Sequence, residues 1–252
     1  MSLSASCCSE NEMQTEPAAN GTIPRLVTPK ELLGPLAVQE LKYAPPELHI
    51  SGRLLLPLLH PRVAIVGTRR PSVEGIEAAK RIARKLAEKG VMVVSGLARG
   101  IDTVAHTAAI EAGGTTIAVL GTPLSRFYPA ENADLQRRIM RDHLAVSQFP
   151  EEAPVRPSNF LVRNRTMALI ADASVIVESG EGGGSLDQGW ETLRLGRPLF
   201  IHAHEFEKSG LQWPNKMARY GAIRFKEPAD ILEEIPTASP SPDLAVAILD
   251  AA

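Results

Sequence analysis

The stretch Val63-Ala64-Ile65-Val66-Gly67-Thr68-Arg69-Arg70-Pro71-Ser72 decides the fold. Its first four residues are all apolar, and such a run predicts a strand that is buried on both faces. Gly67 permits a sharp turn after the strand, and Ser72 belongs to the residue types that cap helices. Apolar residues then recur at helical spacing over 76–86. The stretch therefore predicts a strand, a short polar loop and a helix.

The same alternation continues along the chain. Further apolar runs predict strands at Val91–Ser95, Thr116–Leu120, Leu144–Gln148, Ala173–Glu178 and Pro198–Ile201. Between them, the pattern predicts helices at Asp102–Ala112, Asn132–Arg141, Arg163–Ala171 and Leu186–Leu195. Apolar strands that alternate with helices predict an α/β class, with a doubly wound, mostly parallel sheet. Ligands of such sheets bind at the carboxyl ends of the strands, where the strand order reverses.

The flanking segments lack this alternation. We expect residues 1–27 to be a disordered leader and 28–60 to be a lead-in helix with loops packed on the main domain. The main domain is predicted at 61–235, and 236–252 is predicted to be a flexible tail.

Composition excludes several classes of protein. The chain has 252 residues, 44% of them hydrophobic, and its only cysteines, Cys7 and Cys8, are adjacent, which excludes a disulfide framework or a cysteine metal site. No apolar run reaches the roughly 18 residues of a membrane helix, and no signal-peptide layout is present. We therefore expect a cytoplasmic protein with no membrane contact.

Positive charge is concentrated in one segment although the net charge is only -2. Nine lysines and arginines lie in residues 61–100, against Glu74, Glu77 and Glu88. An anion site is therefore expected there, while the stretch 80–89 itself is interpreted as a solvated helix face.

The loop Gly67-Thr68-Arg69 is the first candidate phosphate site. The free amides of the helix that follows favour an anion, and Arg69 can donate two hydrogen bonds to one phosphate. The dinucleotide fingerprint Gly-x-Gly-x-x-Gly is absent, which disfavours NAD. Ser95 and Gly96, at the end of the next predicted strand, are a second candidate, with Asp102 expected to cap a helix and His106 expected to be structural.

Two later segments complete the candidate site. Phe160 precedes Arg163-Asn164-Arg165, which is predicted to begin a helix, and an aromatic ring beside arginines is typical of single-strand binding. The Gly-rich loop that ends in Gly184 and Ser185 offers backbone amides to an anion.

Taken jointly, these motifs resemble the DprA/Smf family of DNA-processing proteins. The matching stretches are VAIVGTRRPS, VVSGLARGIDTVAH, TIAVLGTPLSRFYPAEN, FPEEAPVRPSNFLVRNR, ASVIVESGEGGGSL and LQWPNKMARYGAI, within about Arg62 to Ile223. The resemblance implies a Rossmann-like domain of the superfamily that also contains LOG-type phosphoribohydrolases. It implies a homodimer that binds single-stranded DNA, protects incoming DNA and loads the RecA recombinase during natural transformation.

The resemblance also implies roles for individual residues. Arg69, Arg163 and Arg165 would hold phosphates, and Phe160 would stack a base. Asn164 would position the strand or the neighbouring loop, while Gly67, Thr68, Gly184 and Ser185 would contribute to phosphate binding. The sequence departs from the family at Asp187-Gln188-Gly189, where a threonine and an alanine are usual, and at His202-Ala203-His204, which replaces a Pro-Gly pair.

Two alternatives stay open at this point. A LOG-type hydrolase needs a catalytic glutamate where this chain has Gln188, and a neutral amide cannot serve as that acid or base. A sensor module that binds a small nucleotide would suit the acidic residues Glu178, Glu181 and Asp187. We expect no catalytic residues, no cofactor and no metal.

Overall fold

The computed structural model describes residues 23–235. The predicted flexible tail and residues 1–22 of the predicted leader lie outside this range. The end of that leader does not: Arg25–Val27 forms a strand, so the prediction of disorder is wrong there.

Strands and helices alternate along the described chain. The strands are β1 (Arg25–Val27), β2 (Leu48–Gly52), β3 (Arg62–Val66), β4 (Met92–Ser95), β5 (Thr116–Leu120), β6 (Leu144–Ser147), β7 (Ala173–Ile176), β8 (Leu199–His202) and β9 (Ile223–Phe225). The helices are α1 (Pro29–Leu33), α2 (Val38–Leu41), α3 (Val73–Glu88), α4 (Ile101–Glu111), α5 (Ala133–Asp142), α6 (Pro157–Ile170), α7 (Gly184–Arg194), α8 (Ala203–Glu207), α9 (Trp213–Ala218) and α10 (Pro228–Glu234).

All nine strands belong to one sheet of order β1-β2-β6-β5-β4-β3-β7-β8-β9. From β6 to β9 every neighbouring pair is parallel. The chain builds the sheet outward from β3 through β4, β5 and β6, then returns to place β7 on the other side of β3. The predicted α/β class with a doubly wound, mostly parallel sheet is confirmed, and the strand order reverses between β3 and β7.

Helices cover both faces of the sheet because successive strand residues point to opposite sides. In β3, Val63 and Ile65 are packed in a buried cluster with α3, α4 and α10. Ala64 and Val66 belong to a second cluster with α6, α7 and the N-terminal segment. Both faces of β3 are therefore buried, which explains its continuous apolar run.

The lead-in segment was predicted to hold only a helix and loops, and this is wrong. β2 pairs antiparallel with β6, and β1 pairs antiparallel with β2, so the segment extends the sheet. In β2, Leu48 and Ile50 are buried while His49 between them is partly exposed. This short alternation, without the apolar run of the inner strands, gives only a weak strand signal.

Helix α6 begins at Pro157, six residues before the predicted start at Arg163. Proline at the first helical position is a favourable start, because its missing amide would have no partner there. Buried residues on α6 include Asn159, Asn164 and a continuous run at 166–170, so its sequence lacks a single apolar stripe. The periodicity that would reveal its first turns is therefore missing.

A buried ion pair joins the amino-terminal ends of β3 and β7. Arg62 donates to Asp172 at 2.9 Å, and the Arg62 backbone amide donates to the same carboxylate at 2.8 Å. Burial raises the pKa of Asp172, but the hydrogen bond and charge of Arg62 outweigh it, so the pKa lies below its ordinary value.

Within residues 23–235, no helix combines the length and apolar character that would cross a bilayer.

We expect Asp172→Ala to lower the free energy of unfolding by about 3 kcal/mol at pH 7, because it leaves the buried Arg62 charge unpaired. A carboxylate with a lowered native pKa stabilises the fold above its unfolded pKa of about 3.9 and loses this contribution as pH falls. The difference from the unaltered protein should therefore shrink between pH 5 and pH 3 in urea titrations. Asp142→Ala, at an exposed ion pair, is the control, and an equal loss at both pH values would contradict the assignment.

Candidate nucleic-acid interface

A cavity of about 610 Å³ opens at the carboxyl edge of the sheet, where the strand order reverses. Its walls are the loops that follow β3, β4 and β7, together with one side of α6. Eight predicted site residues line it: Gly67, Thr68, Arg69, Phe160, Arg163, Asn164, Gly184 and Ser185. The other three, Ser95, Gly96 and Arg165, do not line it.

Gly67 is required for the close packing of the loop after β3. A Cβ at Gly67 would lie 2.6 Å from Ile101 Cγ1 and 2.8 Å from the carbonyl oxygen of Glu178. The Thr68 amide donates to that same carbonyl at 2.7 Å, and the Thr68 carbonyl accepts from the Ile101 amide. These contacts fix the backbone that carries Arg69 at the mouth of the cavity.

The amino terminus of α3 was predicted to favour a phosphate, and in the structure a carboxylate of the protein lies there. Ser72 caps the helix by accepting from the Gly75 amide at 3.0 Å. The Glu178 carboxylate accepts from the Ser72 amide at 2.9 Å and from its hydroxyl at 3.0 Å. Burial raises the pKa of Glu178, but bonds from Lys208 and Ser72 outweigh it and lower the pKa. An ionised carboxylate of the protein thus takes the place where the dipole favours an anion.

Arg69 and Arg70 are exposed at the cavity wall. Neither guanidinium has a hydrogen bond or ion pair to any residue in the described range 23–235. Both are therefore available to an anionic ligand. Arg70 was not among the predicted site residues, although its place beside Arg69 in a loop after a buried strand was a usable signal.

Ser95 and Gly96 were predicted to contact phosphate, but their polar groups are engaged within the protein. The Ser95 hydroxyl is buried and donates to the Ile65 carbonyl at 2.7 Å. The Gly96 amide donates to Asp102 at 3.1 Å, as the Ala98 amide does at 3.3 Å. Asp102 therefore holds the loop after β4, whereas α4 begins after Gly100, and the expectation that Asp102 caps the helix is wrong.

Arg163 is buried beneath the cavity. Its Nη1 donates to the carbonyls of Gly96 and Val119, and its Nε donates to Asn164. A Cβ at Gly96 would lie 1.9 Å from Arg163 Nη1, so a larger residue there would displace the guanidinium. Burial lowers the pKa of Arg163 while the charge of Asp102 raises it. Two of the three guanidinium nitrogens thus donate hydrogen bonds within the protein, and only Nη2 is left to bind a ligand.

Arg165 lies outside the cavity. It is two residues beyond Arg163 on α6, and two residues rotate a helix by about 200°. Its side chain is 53% exposed and pairs with Glu191 at 3.3 Å. The prediction that Arg165 holds a phosphate with Arg163 does not fit this arrangement, because the two side chains point in different directions.

The Gly-rich loop leads into α7 at the cavity wall. Asn164 donates to the Gly184 carbonyl at 3.0 Å, which agrees with the expectation that it positions a neighbouring loop. The backbone amides of Gly184 and Ser185 have no acceptor within residues 23–235. Because they begin an 11-residue helix, the positive end of its dipole coincides with these free amides.

Two aromatic rings flank the cavity. Phe160 and Tyr128 have ring centroids 5.3 Å apart, tilted by 45°. A Cβ at Gly121 would lie 2.6 Å from Phe160 Cδ1, so the glycine allows the ring its position. Tyr128 is 46% exposed and was missed as a site residue. Its only sequence signal was an aromatic in a polar loop, 32 residues before Phe160.

Gln188 on α7 and His106 on α4 are two buried polar side chains. Gln188 is fully buried and donates to Ser174 at 3.2 Å. His106, also buried, hydrogen-bonds Thr116, and burial lowers its pKa to about 3. In the described part of the chain, no cluster of three or more histidine, cysteine or acidic side chains could hold a metal.

Comparisons with known proteins give consistent matches. The family model of the DNA recombination-mediator protein A matches residues 25–236. DNA processing protein DprA of Streptococcus pneumoniae is 40% identical over 167 residues, which cover 66% of this chain and 58% of the relative. The Bacillus subtilis protein of the same name is 32% identical over 195 residues, covering 77% and 66%. The chain thus spans roughly three fifths of the length of these curated relatives.

Solved structures agree with the sequence matches. The X-ray structure of DprA from Streptococcus pneumoniae has a TM-score of 0.70 at 34% identity, and the match covers 79% of this chain and 71% of that one. DprA from Helicobacter pylori, described with a single-stranded DNA binding mode, has a TM-score of 0.70 at 25% identity, covering 84% and 98%. By the family model and these relatives, the chain belongs to the DNA recombination-mediator protein A (DprA/Smf) family.

Proposed function

We propose that the cavity binds single-stranded DNA without cleaving it. The observation that carries the proposal is the convergence of three features at one cavity: two unpaired arginines, the free amides of α7 and an aromatic pair. Arg69 and Arg70 would neutralise phosphates, and the amides of Gly184 and Ser185 would hold a phosphate oxygen. Phe160 and Tyr128 would stack on bases, which is how single strands are held without sequence preference.

A dinucleotide cofactor fits the same edge poorly. In dinucleotide-binding sheets, the pyrophosphate lies at the helix that follows the first strand. The corresponding helix here is α3, and the Glu178 carboxylate already accepts from Ser72 at its amino terminus. A pyrophosphate at that helix would face this carboxylate, whereas the amino terminus of α7 is open.

A hydrolase also receives little support. Gln188 stands where the related phosphoribohydrolases would need an acid, and its amide does not ionise near neutral pH. Among the described residues of the cavity wall, Asp102 is the one carboxylate. It is buried and accepts hydrogen bonds from two amides of the loop after β4, which suits a structural role. Binding without bond cleavage is therefore the proposed activity.

The wider cellular role is proposed from the family. The matched relatives are named DNA processing proteins, and the Helicobacter pylori protein is described as binding single-stranded DNA. For this chain we propose the same ligand, with protection of incoming DNA and loading of the RecA recombinase in the cytoplasm as a homodimer. Each of these proposed roles begins with the binding of single-stranded DNA in the cavity.

Fluorescence anisotropy of a labelled oligo-dT of about 35 nucleotides tests the binding proposal. We expect binding that weakens as salt rises, because each neutralised phosphate contributes about 0.7 to the slope of log affinity against log salt. A labelled mononucleotide should bind far more weakly. Tight mononucleotide binding with little salt dependence would instead support a nucleotide sensor, and binding of neither ligand would contradict the proposal.

Arg69→Ala should weaken oligonucleotide binding and lower the salt slope by about 0.7, because it removes a phosphate contact. Arg165→Ala is a matched control: it removes the same charge from an exposed side chain of the same protein, outside the cavity. The control should change the affinity little. Equal effects of the two substitutions would mean that general surface charge, not the cavity, attracts the DNA.

A further inference from the structure

Three charged side chains lie directly behind the loops that form the cavity wall. Lys208 Nζ is 2.9 Å from Glu178 Oε1 and 2.7 Å from Glu205 Oε1. Glu205 is fully buried, the Glu178 side chain is 12% exposed and that of Lys208 is 38% exposed. We refer to Glu178, Lys208 and Glu205 as the charged triad.

Glu205 holds the Gly-rich loop. Its Oε2 accepts from the Ser179 amide at 2.7 Å. The Ser179 hydroxyl in turn accepts from the Ser185 hydroxyl at 2.7 Å, and a Cβ at Gly183 would lie 2.6 Å from Ser179 Oγ. The loop therefore closes around the Ser179 side chain, and Glu205 fixes the residue at its centre.

Glu178 holds the loop after β3. Its backbone carbonyl accepts from the Thr68 amide, and its carboxylate accepts from Ser72 on the far side of Arg69 and Arg70. Both anchors lie within four residues along the chain, so they define the backbone that presents the two arginines.

Lys208 connects the two carboxylates. Burial lowers the pKa of Lys208, but its bonds to Glu205 and Glu178 outweigh this and raise it, so the amine stays charged. The His204 imidazole also contacts Glu205 Oε1, at 2.9 Å from its Nε2, and Lys208 is the group that contacts both carboxylates. The Lys208 contact therefore links Glu178, which bonds the arginine loop, to Glu205 on α8, which bonds Ser179 of the Gly-rich loop.

The triad depends on α8, the short helix that carries Glu205. His202 is the last residue of β8, and α8 begins directly at Ala203. This short helix places Glu205 inward and is followed by Lys208. The position of α8 directly after β8 thus brings Glu205 and Lys208 to the loops that form the cavity wall.

We propose that Glu205 is a positioning residue for DNA binding: with Lys208 and Glu178 it sets the spacing between the arginine loop and the α7 amides. The proposal rests on the proposed function, because DNA is the ligand whose phosphates these two loops would share. Glu205 itself lines neither loop and touches no ligand.

Glu205→Leu separates positioning from simple charge. Removing a carboxylate near a phosphate site should tighten DNA binding if only charge matters. Loss of positioning should weaken oligo-dT binding about tenfold, the scale of one charged hydrogen bond, and should leave the salt slope unchanged because no phosphate contact is removed. Glu207→Leu is the matched control: Glu207 lies on the same helix, is 66% exposed and pairs with Arg224.

Hydrogen exchange of the DNA-free protein supplies a second readout. The Ser179 amide, which donates to Glu205, should exchange faster in Glu205→Leu than in the unaltered protein or in Glu207→Leu. Glu205→Gln, which keeps the side-chain shape, replaces the leucine variant if that variant does not fold, and changes in the same direction are expected.

Unchanged or tighter DNA binding overturns the proposal, and so does unchanged exchange. If the unaltered protein binds no oligonucleotide, the proposed function fails, while the exchange data still decide whether Glu205 holds the loop.

Discussion

The reversal of strand order between β3 and β7 is the constraint on which the site depends. The loops that follow neighbouring parallel strands lie at the same edge of the sheet. Where the strand order reverses, the two connections turn to opposite faces and leave a crevice between them. The loop after β3 carries Arg69 and Arg70, and the loop after β7 leads to the free amides of Gly184 and Ser185. The sheet thus brings together groups that are more than a hundred residues apart.

Electrostatics then decide which part of the crevice attracts an anion. Glu178 occupies the amino terminus of α3 and Lys208 neutralises part of its charge. Arg163, the cation nearest the floor, is largely engaged by the carbonyls of Gly96 and Val119. The attraction for a phosphate therefore falls on the exposed arginines and on α7, with Phe160 and Tyr128 beside them. A chain with a net charge of -2 can bind a polyanion because its unpaired cations are local.

The fold and part of the site follow from local sequence patterns, and the remainder depends on contacts distant in sequence. Apolar runs located β3 to β8, and the polar residues just after β3 identified Arg69. That Arg165 lies outside the cavity was not evident, because the missing apolar stripe of α6 concealed the helical rotation between it and Arg163. Ser95, Gly96 and the α3 amino terminus looked available because their partners, Ile65, Asp102 and Glu178, are recognisable only in three dimensions. Tyr128 reaches Phe160 through a loop whose path no periodicity reveals.

Photocrosslinking of an oligonucleotide that carries 5-iododeoxyuridine, followed by mass spectrometry of the crosslinked peptides, tests the central claim most directly. If the cavity holds the strand, crosslinks should concentrate on the peptides that contain Tyr128 and Phe160, since bases stacked on these rings lie within reach of the photoproduct. They should be lost with Arg69→Ala at the same DNA concentration. Crosslinks concentrated on the basic face of α3, at Lys80 to Lys89, would contradict the account.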